Sequence, residues 1–97
     1  MKVCAVAMAE VQEDSVLCGS DACLDWDDAV DAADDFMMEC VCDFYEIADR
    51  TYGRAKLEAS VKRKTSVFEG MRKLECSFRD PRRAFVVTTS VQETEIG

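Results

Sequence analysis

Residues 25–52 constrain the fold more than any other stretch. Trp26, Ala29, Val30, Ala33, Phe36, Met37, Cys40, Val41, Phe44, Ile47 and Ala48 recur at helical spacing. At about 100° per residue they share one arc of about 140°. Asp27, Asp28, Asp31, Asp34, Asp35, Glu39, Glu46 and Asp49 fall on the opposite side. Asp25 stands where a helix cap belongs, and Asp27, Asp28 and Asp31 fill the first turns, where the helix dipole favours acids. The pattern predicts one amphipathic helix from about 25 to about 52, roughly 40 Å long, ended or bent at Gly53. Such a stripe must be buried against a second layer.

The flanks supply that layer. Val3, Ala5 and Ala7 alternate with Cys4, Val6 and Met8, which reads as a strand apolar on both faces. Such a strand is covered on both sides, or its second face is covered by a partner. Gln12 to Ser15 forms a turn, and Val16-Leu17-Cys18 a short returning strand ended by Gly19. A two-residue turn at Glu69-Gly70 pairs Phe68 with Met71, Ser66 with Lys73 and Lys64 with Glu75 on a polar face. It pairs Thr65 with Leu74 and Val61 with Phe78 on the other. Asp80-Pro81 makes a second turn, and Phe85, Val87, Thr89 and Val91 share one side of a last strand. The expected fold is α+β: one long acidic helix across an antiparallel sheet, in the order β-β-α-β-β-β. The alternative is β-α-α-β-β, with Leu57, Val61, Phe68, Met71 and Phe78 on a second helix in a helical hairpin.

At 97 residues, positions 1–97 make a single domain. The chain has no histidine, which removes His-based acid/base chemistry, Ser-His and Cys-His pairs and His-containing zinc sites. Carboxylates abound, but they lie on a solvated helix face, and a catalytic pair needs one of two to be desolvated. There is no phosphate-binding glycine loop, nucleophile elbow or EF-hand spacing. The expectation is a non-enzyme without a cofactor. Cys4, Cys40 and Cys76 fall on apolar faces, where a thiol acts as a small hydrophobe. Cys18, Cys23, Cys40 and Cys42 lack zinc-ribbon spacing. No apolar run reaches the about 20 residues of a membrane helix, and the opening Val3–Ala9 run is too short for a signal. These readings place the protein in the cytoplasm, in a reducing compartment and off the membrane.

Charge is strongly segregated. Residues 1–49 carry 14 acids and one base, residues 50–83 carry 11 bases and 4 acids, and residues 84–97 carry two acids. Like charges at i,i+3 and i,i+4 cost a few tenths of a kcal/mol per pair, so the acidic face is dearer than solubility requires. Met38, Cys42 and Tyr45, continued by Tyr52, form a narrow apolar stripe within it. Asp27, Asp28, Asp31, Asp34, Asp35, Met38, Cys42, Tyr45 and Asp49 are therefore the expected partner-binding residues. A basic protein surface is the expected partner. Carboxylates along a rod also imitate nucleic-acid phosphates, so an inhibitor of a host nucleic-acid-handling complex, of the anti-CRISPR or anti-restriction kind, fits. Small phage and mobile-element proteins offer an analogy of layout. Lys62, Lys64, Lys73, Arg79, Arg82 and Arg83 form a secondary basic surface. It supports two alternatives: a virion or other structural subunit assembling head-to-tail with copies of itself, or a small nucleic-acid binder using the basic hairpin. Direct nucleic-acid binding by the acidic face is excluded by repulsion.

Overall fold

The computed structural model describes residues 1–96. Five strands and two helices follow one another as β1 (Lys2–Gln12), β2 (Ser15–Cys23), α1 (Trp26–Tyr45), α2 (Arg50–Ser60), β3 (Lys62–Phe68), β4 (Met71–Asp80) and β5 (Phe85–Glu95). The strands form one antiparallel sheet in the order β2-β1-β5-β4-β3. The α+β class stands. The element order becomes β-β-α-α-β-β-β, because the helix expected over 25–52 is two helices.

The break has a local cause. Glu46 adopts the left-handed conformation at φ 56° and ψ 43°. Its amide donates to the Asp43 carbonyl at 3.3 Å, and that of Ile47 to the Cys42 carbonyl at 2.8 Å. This closes α1 with a Schellman-type cap built on a residue other than glycine. Asp49 then starts α2, its Oδ1 accepting from the amides of Thr51 at 2.9 Å and Tyr52 at 3.4 Å. Gly53 neither ends nor bends α1; it is buried inside α2. The helical-hairpin alternative is right about a second helix but extends it too far. From Lys62 the chain is a β-hairpin.

That hairpin has the expected register: Phe68 faces Met71, Ser66 faces Lys73, Thr65 faces Leu74 and Lys64 faces Glu75. Glu69 and Gly70 both have positive φ, 53° and 77°, as a type I′ turn requires. Leu74, Cys76 and Phe78 of β4 and Phe85, Val87, Thr89 and Val91 of β5 lie buried beneath the helices, with Cys4 and Val6 of β1. The core closes on Phe85, whose ring stacks on Phe44 at 3.9 Å between centroids, with Tyr45 and Phe78 edge-on.

Both helices cover the same face of the sheet. On the other face, Ala5, Ala7 and Val11 of β1 and Val16, Cys18, Ser20 and Ala22 of β2 are exposed. The β1 strand is thus covered on one side within the chain.

Candidate functional site

Helix α1 carries the acidic surface, and the sheet and α2 divide its residues into three groups. One flank faces the basic strands. The Asp34 carboxylate accepts from Arg63 Nη2 at 2.9 Å, and Asp27 lies close enough to Arg72 to raise its pKa. That rise comes first from the hydrogen bond to Glu93. The crest carries Asp31, exposed. The other flank carries Asp28, Asp35, Glu39 and Asp43, all exposed, and turns toward β2. At its far end Glu39 and Asp43 join Glu10, Leu17, Phe36 and Phe44 around a groove of about 530 Å3 between α1 and the β1–β2 hairpin. At its near end partial burial, then the charges of Asp21, Asp28 and Asp25, push the Cys23 thiol up. Among the described residues the only ion pair on this flank is Arg50 with Glu39 at 3.8 Å, between two well-exposed side chains, which contributes little.

The apolar stripe is corrected. Met38 is 3% exposed and Cys42 is half-buried. Both lie under α2, where a Cβ at Gly53 would stand 2.5 Å from Cys42 Sγ and 3.4 Å from Met38 Sδ. Tyr45 is half-buried, donates its hydroxyl to Asp80 Oδ2, and packs edge-on against Phe44. Burial, with that bond, pushes its phenol up to about 12. Met38 and Cys42 form the seam between two helices, Tyr45 packs onto Phe78 and Phe85, and only Tyr52 remains exposed. Asp49 is committed to capping α2, and Asp34 to Arg63. Of the nine expected partner residues, Asp27, Asp28, Asp31 and Asp35 remain exposed with neither an ion pair nor a capping bond among the described residues. Glu39 and Asp43 complete the acidic flank. Helical spacing from Asp31 and Asp35 was the signal for them.

The basic surface also divides. Lys62, Lys64 and Lys73 rim a shallow groove of about 480 Å3 on the open sheet face, floored by Ala7, Ala9, Ser77, Thr88 and Ser90. Lys73 is paired with Glu75 there at 3.5 Å. Sequence alternation puts Arg79 on this face too. Arg82 and Arg83 sit apart at the β4–β5 turn, with the Arg83 guanidinium 5.0 Å from the Phe44 ring centre.

One charged group was missed altogether. Glu93 continues the inward alternation of β5 and is buried. It accepts from the Arg72 amide and from Nε, each at 2.8 Å, while the Arg72 guanidinium lies 4.5 Å from the Trp26 ring. These bonds hold its carboxyl down at about 2. The alternation Phe85, Val87, Thr89, Val91 was the available signal. The arrangement ties β4 and β5 to the start of α1.

Burial, with the Glu10 carboxylate beside it, pushes the Cys40 thiol up to about 12, so it stays protonated and unreactive. Among the described residues no group of three or more acids and cysteines is placed to hold a metal ion. No helix among the described residues is long and apolar enough to cross a membrane. Compared with known proteins, the chain matches no family model, no curated protein and no solved structure.

Proposed function

We propose that this is a non-catalytic interaction protein that docks the acidic surface of α1 onto a basic protein surface and blocks it. The supporting observation is the flank of Asp28, Asp35, Glu39 and Asp43 with Asp31 on the crest, all exposed, in a stretch that has no base between Lys2 and Arg50. Asp27, Asp31, Asp35, Glu39 and Asp43 also follow one another at intervals of four residues. Each interval is about 6 Å of helix rise, nearly twice the about 3.4 Å between phosphates along one strand of duplex, so the likeness is one of charge and not of pitch. The row therefore suits a cleft lined with lysine and arginine, such as that of a nucleic-acid-handling complex, and takes its strength from the same cations.

The test is competition. A labelled duplex is bound to each of a panel of basic DNA-binding enzymes, restriction and CRISPR nucleases among them, and displaced with this protein at about 50 mM and about 500 mM salt. Displacement at low salt that the triple variant Asp31→Lys, Asp35→Lys, Glu39→Lys abolishes is expected. Unchanged displacement by that variant overturns the reading, and so does the absence of displacement across the panel.

The head-to-tail alternative draws on the exposed Lys62 and Lys64 of the open-face groove, which lie in no ion pair among the described residues. Light scattering at the same two salts tests it. An oligomer that dissociates at high salt favours assembly, and a monomer at both removes it.

A further inference from the structure

The two edges of the sheet are treated differently. The β3 edge carries Lys62, Arg63 and Lys64, charges that oppose addition of another strand. The β2 edge carries Ser15-Val16-Leu17-Cys18-Gly19-Ser20-Asp21-Ala22-Cys23, with one charge, no lysine, no arginine and no proline. It is paired without a gap to β1 from Gln12↔Ser15 to Cys4↔Cys23, so it has no bulge to turn it aside. Every residue from Ser15 to Ala22 is exposed, with Val16 at 66% and Leu17 at 56%.

The antiparallel ladder alternates which residues turn their main-chain groups inward. Gln12 and Ser15 flank the two-residue turn as the closing pair, so Leu17, Gly19 and Asp21 face β1. Val16, Cys18, Ser20 and Ala22 then face outward. The Ala22 amide shows this directly, because it donates to Asp21 Oδ1 at 2.8 Å instead of to β1. Val16, Cys18 and Ser20 present their amides and carbonyls along an open edge.

What lies beside that edge selects the occupant. On the helix side, Leu17 opens onto the groove that Glu10, Glu39 and Asp43 share, and Cys23 lies near Asp21, Asp25 and Asp28. Acids therefore accompany the edge at both ends. On the other side, the neighbouring face is Val16, Cys18, Ser20 and Ala22 with Ala5, Ala7, Ala9 and Val11, none of them charged. A second copy would bring two acidic flanks together across the new pairing. The geometry points to β2 as the docking edge for an extended, basic segment of the partner protein, added as a sixth strand with lysine or arginine at alternate positions turned toward α1. This rests on the reading that the acidic layer meets a basic protein.

The probe is a labelled nine-residue peptide alternating lysine with threonine, measured by fluorescence anisotropy at low salt. Its controls are the same peptide N-methylated at the residues that face β2, and a peptide of the same composition with the lysines consecutive. The protein variants are Ser20→Pro, which removes an outward amide and is tolerated at an edge, and Glu39→Lys with Asp43→Lys. Binding of the alternating peptide that falls at least about tenfold on N-methylation, which removes several main-chain bonds of about 1 kcal/mol, and about fivefold in Ser20→Pro, which removes one, is expected. If Ser20→Pro does not fold, the N-methylated peptide against the unaltered protein decides the matter. Binding that Glu39→Lys with Asp43→Lys abolishes, but that ignores N-methylation and Ser20→Pro, overturns the edge and leaves acidic docking standing. No binding by any basic peptide overturns both. A dimer of the protein alone that Ser20→Pro dissolves identifies the occupant as a second copy and overturns the basic segment.

Discussion

The seam between α1 and α2 makes a quantitative prediction at Gly53. Alanine in a helix interior is better than glycine by about 1 kcal/mol, so Gly53→Ala should stabilise the protein if α2 were free. It is not free. The new Cβ would stand 2.5 Å from Cys42 Sγ, well inside van der Waals contact, and 3.4 Å from Met38 Sδ. The thiol itself is 3.7 Å from Met38 Sδ, so it has little room to swing. Overpacking of this kind costs about 1–3 kcal/mol. Taking about 2 for the clash against about 1 for propensity leaves Gly53→Ala destabilised by about 1 kcal/mol. In a chain of this size that lowers Tm by about 4–8 °C.

Cys42→Ala removes the obstructing sulfur and by itself costs about 1 kcal/mol of burial. In the double variant the clash is gone and the propensity gain returns. The double variant should therefore be about 2 kcal/mol more stable than the two single changes predict by addition. Urea unfolding of the four proteins measures this, with m unchanged across the set. Additivity to within about 0.5 kcal/mol, or a Gly53→Ala protein stabilised by its full propensity gain, would refute the seam as the reason for the glycine.

Three further outcomes are expected. Arg72 holds the Glu93 carboxyl down at about 2 against an ordinary 4.5. Its contribution to stability is complete above pH 4.5 and is lost as pH falls toward 2, so Glu93→Gln should remove that part of the acid dependence. Parallel stability curves for the two proteins between those pH values would contradict it. Glu46→Gly relieves a left-handed non-glycine cap and should raise stability by up to about 1 kcal/mol, read from the urea midpoint. Phe85→Ala removes the fully buried ring stacked on Phe44 and should cost about 3–5 kcal/mol, a large share of the stability of a small domain.

The β-strands of the second half were legible because their cues are local. Glu69-Gly70 dictates a two-residue turn, and the turn dictates every pair beyond it. Phe85, Val87, Thr89 and Val91 announce their buried side by alternation, and the same alternation carries Glu93 inward. The end of α1 was hidden because Ile47 and Ala48 continue the apolar period after the helix has stopped. A Schellman cap usually shows itself by glycine, and here Glu46 occupies that position. Asp49 ahead of Arg50-Thr51-Tyr52 was the remaining cue. Its carboxylate reads equally well as one more acid on a polar face until the amides it accepts from are known.

The same ambiguity governs the candidate site. Periodicity sorts residues by direction around one helix and is silent on what a distant segment lays against that direction. Met38 and Cys42 point to where α2 returns to cover them, whereas Tyr45 turns onto Phe78 and Phe85 of the sheet. Acids of one formal charge are likewise put to unlike uses. Asp49 caps, Asp34 binds Arg63, and Asp27 lies near Arg72, so reversing Asp34 or Asp49 would report on folding before it reported on a partner. The bases of β3 and β4 compensate the flank of α1 that faces them. Asp28, Asp35, Glu39 and Asp43 lie on the flank those bases do not reach, and β2, with its outward amides at Val16, Cys18 and Ser20, runs beneath it. A partner that neutralises this flank must approach over β2, which brings its main chain within reach of an edge that carries nothing to repel it.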